Sequence, residues 1–321
     1  MQLNPRVKST ILSQQNANCV VMVPPKEFQF NQETAADNEF QTSLQLTPAE
    51  LTQRVMDEFN TMVEGLRSQG IDVIEFDYHP GASKTPDAVF PNNWFNTQPG
   101  GTLTTFPMAC CNRQAEVRVD ALSDLLAKSN RPVRNTQDFT QWLEKGKYLE
   151  STGVMVMDHI GKRIYAALSL RCDRAVLDAY ATTIGYEVVA FATKLSSGAS
   201  VYHTNVMMSV GEGFAVICDE VIPEFERRLV QKTLAKTKQV ISITEAQMGQ
   251  FCGNILQLES QQGDKFIAMS QSAFDALTPV QKSQLKAHGK LLPFDVTTIE
   301  TIGGGSVRCM LAEVFLPYSP D

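Results

Sequence analysis

A cysteine, a histidine and a glutamate, each at the opening of a short apolar run, are the residues of this chain best suited to chemistry. Cys309 lies in Gly303-Gly304-Gly305-Ser306-Val307-Arg308-Cys309, Glu150 in Leu149-Glu150-Ser151-Thr152-Gly153, and His203 in Tyr202-His203-Thr204-Asn205. Glycines let a loop turn tightly and approach a ligand, and a neighbouring Arg308 favours thiolate over thiol. A thiolate attacks an sp2 carbon. A histidine protonates the departing group and then activates water, and a carboxylate orients the histidine or binds a cationic substrate. Taken singly, each has a plainer reading: a free cysteine is commonly a small buried packing residue, and a lone histidine or rim glutamate serves structure.

What favours chemistry is their placement along the chain. Short apolar runs of strand character recur at 19–23, 73–76, 89–95, 153–157, 164–170, 205–210, 214–218, 253–258, 266–269 and 307–314. Between them lie segments of helical period at 49–69, 117–128, 173–184, 222–234, 244–249 and 279–288. Thr47-Pro48-Ala49-Glu50 and Thr278-Pro279-Val280-Gln281 are helix starts, with a capping threonine, a proline at the first turn and Glu or Gln at the third position. Polar or small residues lead directly into an apolar run at Asp87, Ser151, His203, Cys252 and Gly304, roughly 50 to 60 residues apart, a spacing typical of repeated supersecondary units. Five α/β units point to a closed radial array whose equivalent ends meet at an axis, bringing Asp87, Glu150, His203 and Cys309 together. No Pro/Gly/Ser linker divides the chain, so residues 1–321 read as one domain.

The bulk numbers set limits. With a net charge of −7 the chain is a poor partner for nucleic acid, which needs a basic surface. No run of 18 apolar residues is present to span a membrane, and Met1–Arg6 lacks the apolar core of a secretion signal. Seven cysteines at irregular spacing, without a CxxC pair, suit reduced thiols in the cytoplasm. Four histidines in no metal-binding pattern make a metal unexpected, and no organic cofactor is implied. Cys110, Cys111, Cys252 and methionines 155, 157, 207 and 208 read as packing residues; Trp94 and Phe95 fit either the core or a pocket wall.

The segments Pro86-Asp87-Ala88-Val89-Phe90-Pro91-Asn92-Asn93, Leu149 to Gly153, His203-Thr204-Asn205 and Gly304 to Cys309, together with the stretch from Phe28 to Asn38, resemble the guanidino-group-modifying enzymes. The resemblance is nearest to citrulline-utilisation hydrolases, labelled amidinotransferase-like, and runs from about Val20 to Pro317. It implies the pentein fold, a five-bladed α/β propeller of pseudo-fivefold ββαβ repeats. It also implies a small amino-acid substrate and, as in relatives, a homo-oligomer. Cys309 would be the nucleophile, His203 the general acid/base and Glu150 its partner. Asp87 would hold a substrate α-amino group, and Arg113 and Arg171 its α-carboxylate; a surface-charge reading of the two arginines stands beside this. Deiminases of the superfamily carry aspartates at the places of Asn93 and Asn205, where they hold a cationic guanidinium. Asparagine offers donor and acceptor without charge and suits a neutral ureido group. Asn93, and with it Asn31, match asparagines of the arginine dihydrolases. The resemblance thus implies C–N hydrolysis of citrulline or arginine to ornithine, carbon dioxide and ammonia. Arginine deiminase, dimethylarginine dimethylaminohydrolase, amidinotransferase and a non-catalytic binding pentein stay open.

Overall fold

The computed structural model describes residues 14–35, 37–78, 81 and 83–320. The N-terminal reading and His79 lie outside them. Within them the chain builds five three-stranded sheets, each with one antiparallel and one parallel pair around a middle strand. The first begins with β1 (Cys19–Met22), followed by the helix Pro48–Ser68 and then β2 (Asp72–Glu75), which lies parallel to β1. The next is β3 (Phe95–Gln98), β4 (Thr102–Thr105), the helix Val119–Lys128 and β5 (Asn135–Asp138). A third is β6 (Val156–Asp158), β7 (Arg163–Ala167), the helix Arg174–Ile184 and β8 (Glu187–Phe191). The fourth is β9 (Met208–Val210), β10 (Phe214–Ile217), the helix Glu224–Leu234 and β11 (Gln239–Ser242). The fifth is β12 (Leu256–Glu259), β13 (Lys265–Ser270), two short helices Gln271–Ala276 and Pro279–Lys286, and β14 (Lys290–Phe294). Then β15 (Ala312–Glu313) returns to the first sheet, where Val21 opposes Ala312 in an antiparallel pair.

Helix Pro48–Ser68 follows from its sequence. Thr47 and Glu50 form the reciprocal capping box, and Val55, Phe59, Met62, Val63 and Leu66 make one buried stripe. A second capping box joins Thr278 and Gln281.

Two features differ from the sequence reading. The apolar runs before β3, β6 and β9 open as short helical turns, Pro91–Asn93, Ser151–Val154 and Thr204–Met207, and become strand only afterwards. These turns are as buried as strands, so hydrophobic runs alone do not separate the two. The outer strands β5, β8, β11 and β14 gave no strand signal because each is short and partly exposed, and the middle strand β4 gave none because threonines flank its single leucine.

Neighbouring units touch. Thr97 of β3 donates to the Glu313 carbonyl at 3.0 Å, Ser151 Oγ to the Phe95 carbonyl at 3.0 Å, and Glu259 N–H to Ala17 at 3.0 Å. Strand β6 packs beside β9, and β9 beside β12. No described helix is long and apolar enough to cross a membrane.

Candidate active site

The turns that precede the inner strands position the reactive groups. Glu150 and His203 are the residues immediately before their four-residue helical turns, and Cys309 sits within the turn 307–310. The Glu150 turn is held against strain: Ser151 has a φ of 36°, and its hydroxyl is anchored on Phe95. Gly153 is required by proximity. A Cβ there would lie 2.2 Å from Asn93 Nδ2 and 3.0 Å from His203 Cε1.

His203 Nε2 meets Glu150 Oε2 at 2.7 Å, which leaves Nδ1 as the ring atom for chemistry. The other Glu150 oxygen accepts the Ala109 N–H at 3.0 Å. Burial works against the charge on Glu150, but Arg171, the His203 hydrogen bond and Arg113 hold its carboxyl well below the usual range. Burial pushes His203 down, against the pull of Glu150. The resting pair is therefore a carboxylate and a neutral imidazole with its proton on Nε2.

Cys309 is 2% exposed. Its sulfur accepts from Asn254 Nδ2 at 3.2 Å and from Asn205 Nδ2 at 3.4 Å. The Asn254 amide has a fixed orientation, since its Oδ1 accepts the Arg308 N–H at 3.0 Å. The sulfur thus faces donors. The Arg308 guanidinium, expected to serve the thiolate, instead reaches Leu311 and Glu313. Asn254 carried no chemical signal in the sequence beyond its place in the fourth unit opening, equivalent to Asn205.

Asp87 is buried, and one of its oxygens accepts from Asn31 Nδ2 at 2.7 Å and Thr34 Oγ1 at 3.1 Å. Its other oxygen has no partner. Burial pushes its carboxyl up, with Arg113 opposing. The Asn93 oxygen accepts from Arg113 Nη1 at 2.7 Å, so its buried NH2, also unpartnered, is the group left for a ligand. The Asn205 oxygen is a third such atom.

The arginines are placed otherwise than a surface reading implies; both are 2% exposed. Arg113 bridges Glu116 through two nitrogens at 3.0 and 2.9 Å and also reaches the Phe90 carbonyl. Arg171 clasps Asp37 through two nitrogens and touches Glu150 at 3.4 Å. Their forks are engaged by protein carboxylates in this arrangement. Besides Asn31, Thr34 and Asp37, Gln41 from the same stretch donates to the Gly303 carbonyl at 3.2 Å. A hollow of about 570 Å³ borders this segment, with Asn31, Pro86 and Asn112 in its wall, and one of about 540 Å³ lies by Phe40 and Glu300.

Trp94 and Phe95 are core, Cys252 is fully buried with its thiol directed at the Ala273 carbonyl, and Cys111 is exposed rather than packed. Among the described residues no group of three or more His, Cys, Asp or Glu could hold a metal.

Residues 24–316 match the model of the eukaryotic N,N dimethylarginine dimethylhydrolases. The chain belongs to that family. It is therefore a member of the pentein superfamily, and its relatives are hydrolases acting on C–N bonds. No curated protein matches it. Among solved structures it resembles ArgZ, an arginine dihydrolase from the ornithine–ammonia cycle in cyanobacteria, at 17% identity and a TM-score of 0.71 over 94% of this chain. It spans 41% of that chain. The isolated N-terminal domain of an ArgZ variant, covalently bonded to a reaction intermediate, matches over 94% of this chain and 99% of its own, at 16% identity and a TM-score of 0.70. A dimethylarginine dimethylaminohydrolase variant with an S-methyl-L-thiocitrulline adduct matches over 92% and 99%, at 13% identity and a TM-score of 0.58.

Proposed function

We propose that this protein hydrolyses C–N bonds of a ureido or guanidino amino acid, taking citrulline, arginine or both to ornithine, carbon dioxide and ammonia. The observation that carries this reading is the amide lining. Three asparagine amides, at positions 93, 205 and 254, adjoin the catalytic set, where a cationic guanidinium would favour carboxylates.

Cys309 gives its thiol proton to His203 Nδ1, and its Sγ attacks the ureido carbon and forms a C–S bond. Asn93 NH2 donates toward the substrate oxygen. Collapse breaks a C–N bond and expels ammonia, protonated through His203. Water, deprotonated by the same imidazole, then cleaves the thioester-like intermediate. The resulting carbamic acid loses carbon dioxide and leaves ornithine. Glu150 holds the imidazole and its charge as the proton passes. Asp87 offers an oxygen to an α-ammonium. Arg113 and Arg171 position Asn93 and Glu150 and reach an α-carboxylate only by releasing a protein partner. The contacts between successive units support closure into one five-bladed propeller domain, and seven free cysteines suit a reducing, cytoplasmic setting.

A second reading has its own support. The family match names dimethylarginine, which would release a methylated amine and leave citrulline. Incubation of metal-free protein with arginine, citrulline and dimethylarginine, followed by amino-acid and amine analysis, decides between them. Ornithine from citrulline supports the first reading. Citrulline accumulating from either guanidino substrate, without ornithine, sinks it.

A further inference from the structure

Behind the catalytic turns lies a cavity of about 180 Å³ that the chemistry above does not use. Its polar lining includes Asn96, His159, Tyr180 and Glu313, and its apolar lining Tyr186 and Phe315. Asn96 is 8% exposed and donates through Nδ2 to Tyr180 Oη at 2.7 Å, while its Oδ1 has no partner. Glu313 offers a carboxylate held on one side only, by Arg308 Nη2 at 2.9 Å. Burial pushes that carboxyl up and Arg308 only partly opposes it, so a second cation would complete its pairing. His159 is pushed down to about 4 by burial and is neutral near pH 7, so it does not repel a cation. Aromatic faces beside a carboxylate are a recurring environment for an ammonium. The volume is below that of sites for drug-sized ligands and admits a single ring or its equivalent.

The cavity is joined to the nucleophile. Thr152 forms part of its wall, next to the Gly153 on which His203 and Asn93 pack. A smaller hollow of about 30 Å³ shares Thr152, His159 and Glu313 with it and extends to Asn205. From Glu313 the contacts run through the Arg308 side chain, then from Arg308 N–H to Asn254 Oδ1, and from Asn254 Nδ2 to Cys309 sulfur.

We propose that this cavity binds a small primary amine with a compact, flat apolar body, and that its occupancy alters Cys309 through Glu313, Arg308 and Asn254. The inference does not depend on which substrate the active site takes.

Benzylamine is the probe, with benzyl alcohol as its uncharged counterpart. Binding is read by calorimetry on the full chain, and the rate of iodoacetamide alkylation at Cys309 by peptide mass spectrometry. Saturable millimolar benzylamine binding, weaker binding of the alcohol and a change of about fivefold in the Cys309 rate, within the usual range for coupled sites, are expected. The Ile184→Trp variant, which enlarges a side chain of the cavity wall, should lose both binding and the rate effect. Asn96→Leu serves in its place if that variant does not fold. Absence of saturable binding, equal binding of the alcohol, an unchanged Cys309 rate, or effects that persist in the filled variant would each overturn the proposal.

Discussion

At Cys309 the sulfur faces two amide donors, and one of them, Asn254, is oriented by the main chain of the residue that precedes the cysteine. Removal of the thiol by Cys309→Ala should therefore cost at least about a thousandfold in turnover while the thermal midpoint stays near that of the parent. Substantial turnover by this variant would refute the covalent route. Asn93→Asp places a carboxylate where a donor now faces the site. The expected result is stronger use of cationic guanidino substrates and accumulation of citrulline, read from product ratios. Acid should weaken the fold in a defined window. His159 is held near 4 against an ordinary value of 6.5, so the unfolded chain takes up a proton first as the pH falls. Stability from this group is complete above 6.5 and is lost as the pH falls through about 4. Denaturant unfolding of His159→Phe should show a shallower decline over that window than the parent. The candidate nucleophile, base and carboxylate were legible because their types are chemically conspicuous at equivalent unit openings. Asn254 was not, since an amide acquires its role only from what it faces. The engagement of Arg171 by Asp37 was equally invisible, because spacing along the chain does not report which carboxylate reaches a guanidinium.

The elements that present these groups are the short turns before the inner strands, and glycine decides how closely they approach. Gly153→Ala drives a methyl group into the Asn93 amide and the His203 ring. A stability loss of about 1–3 kcal/mol is expected from such overpacking, with a larger proportional fall in kcat/KM than stability explains. A variant with unaltered kinetics would mean that the spacing of Asn93 and His203 does not matter. By contrast Thr47→Ala, which removes the cap of helix Pro48–Ser68 far from the site, should cost about 1 kcal/mol and leave kcat unchanged. Helix starts of this kind could be read directly because the capping box is local. The turn-then-strand openings could not, since a four-residue turn and a strand with all residues buried have the same apolar pattern.

Across the whole molecule the first sheet is completed from both ends of the sequence, with β15 paired to β1 and β1 to β2. The repeated unit openings made five similar modules predictable. That the final strand would belong to the first module was not, because strand pairing at such separation leaves no local trace.

This pairing has a consequence during synthesis. Translation at about 5–20 residues per second leaves β1 on the ribosome for tens of seconds before β15 emerges. Throughout that interval an apolar strand keeps one open edge, which is a template for misassociation. Cys309 arrives in the same late segment as β15, so a nascent chain lacks the proposed nucleophile until the sheet that opened first can also be finished.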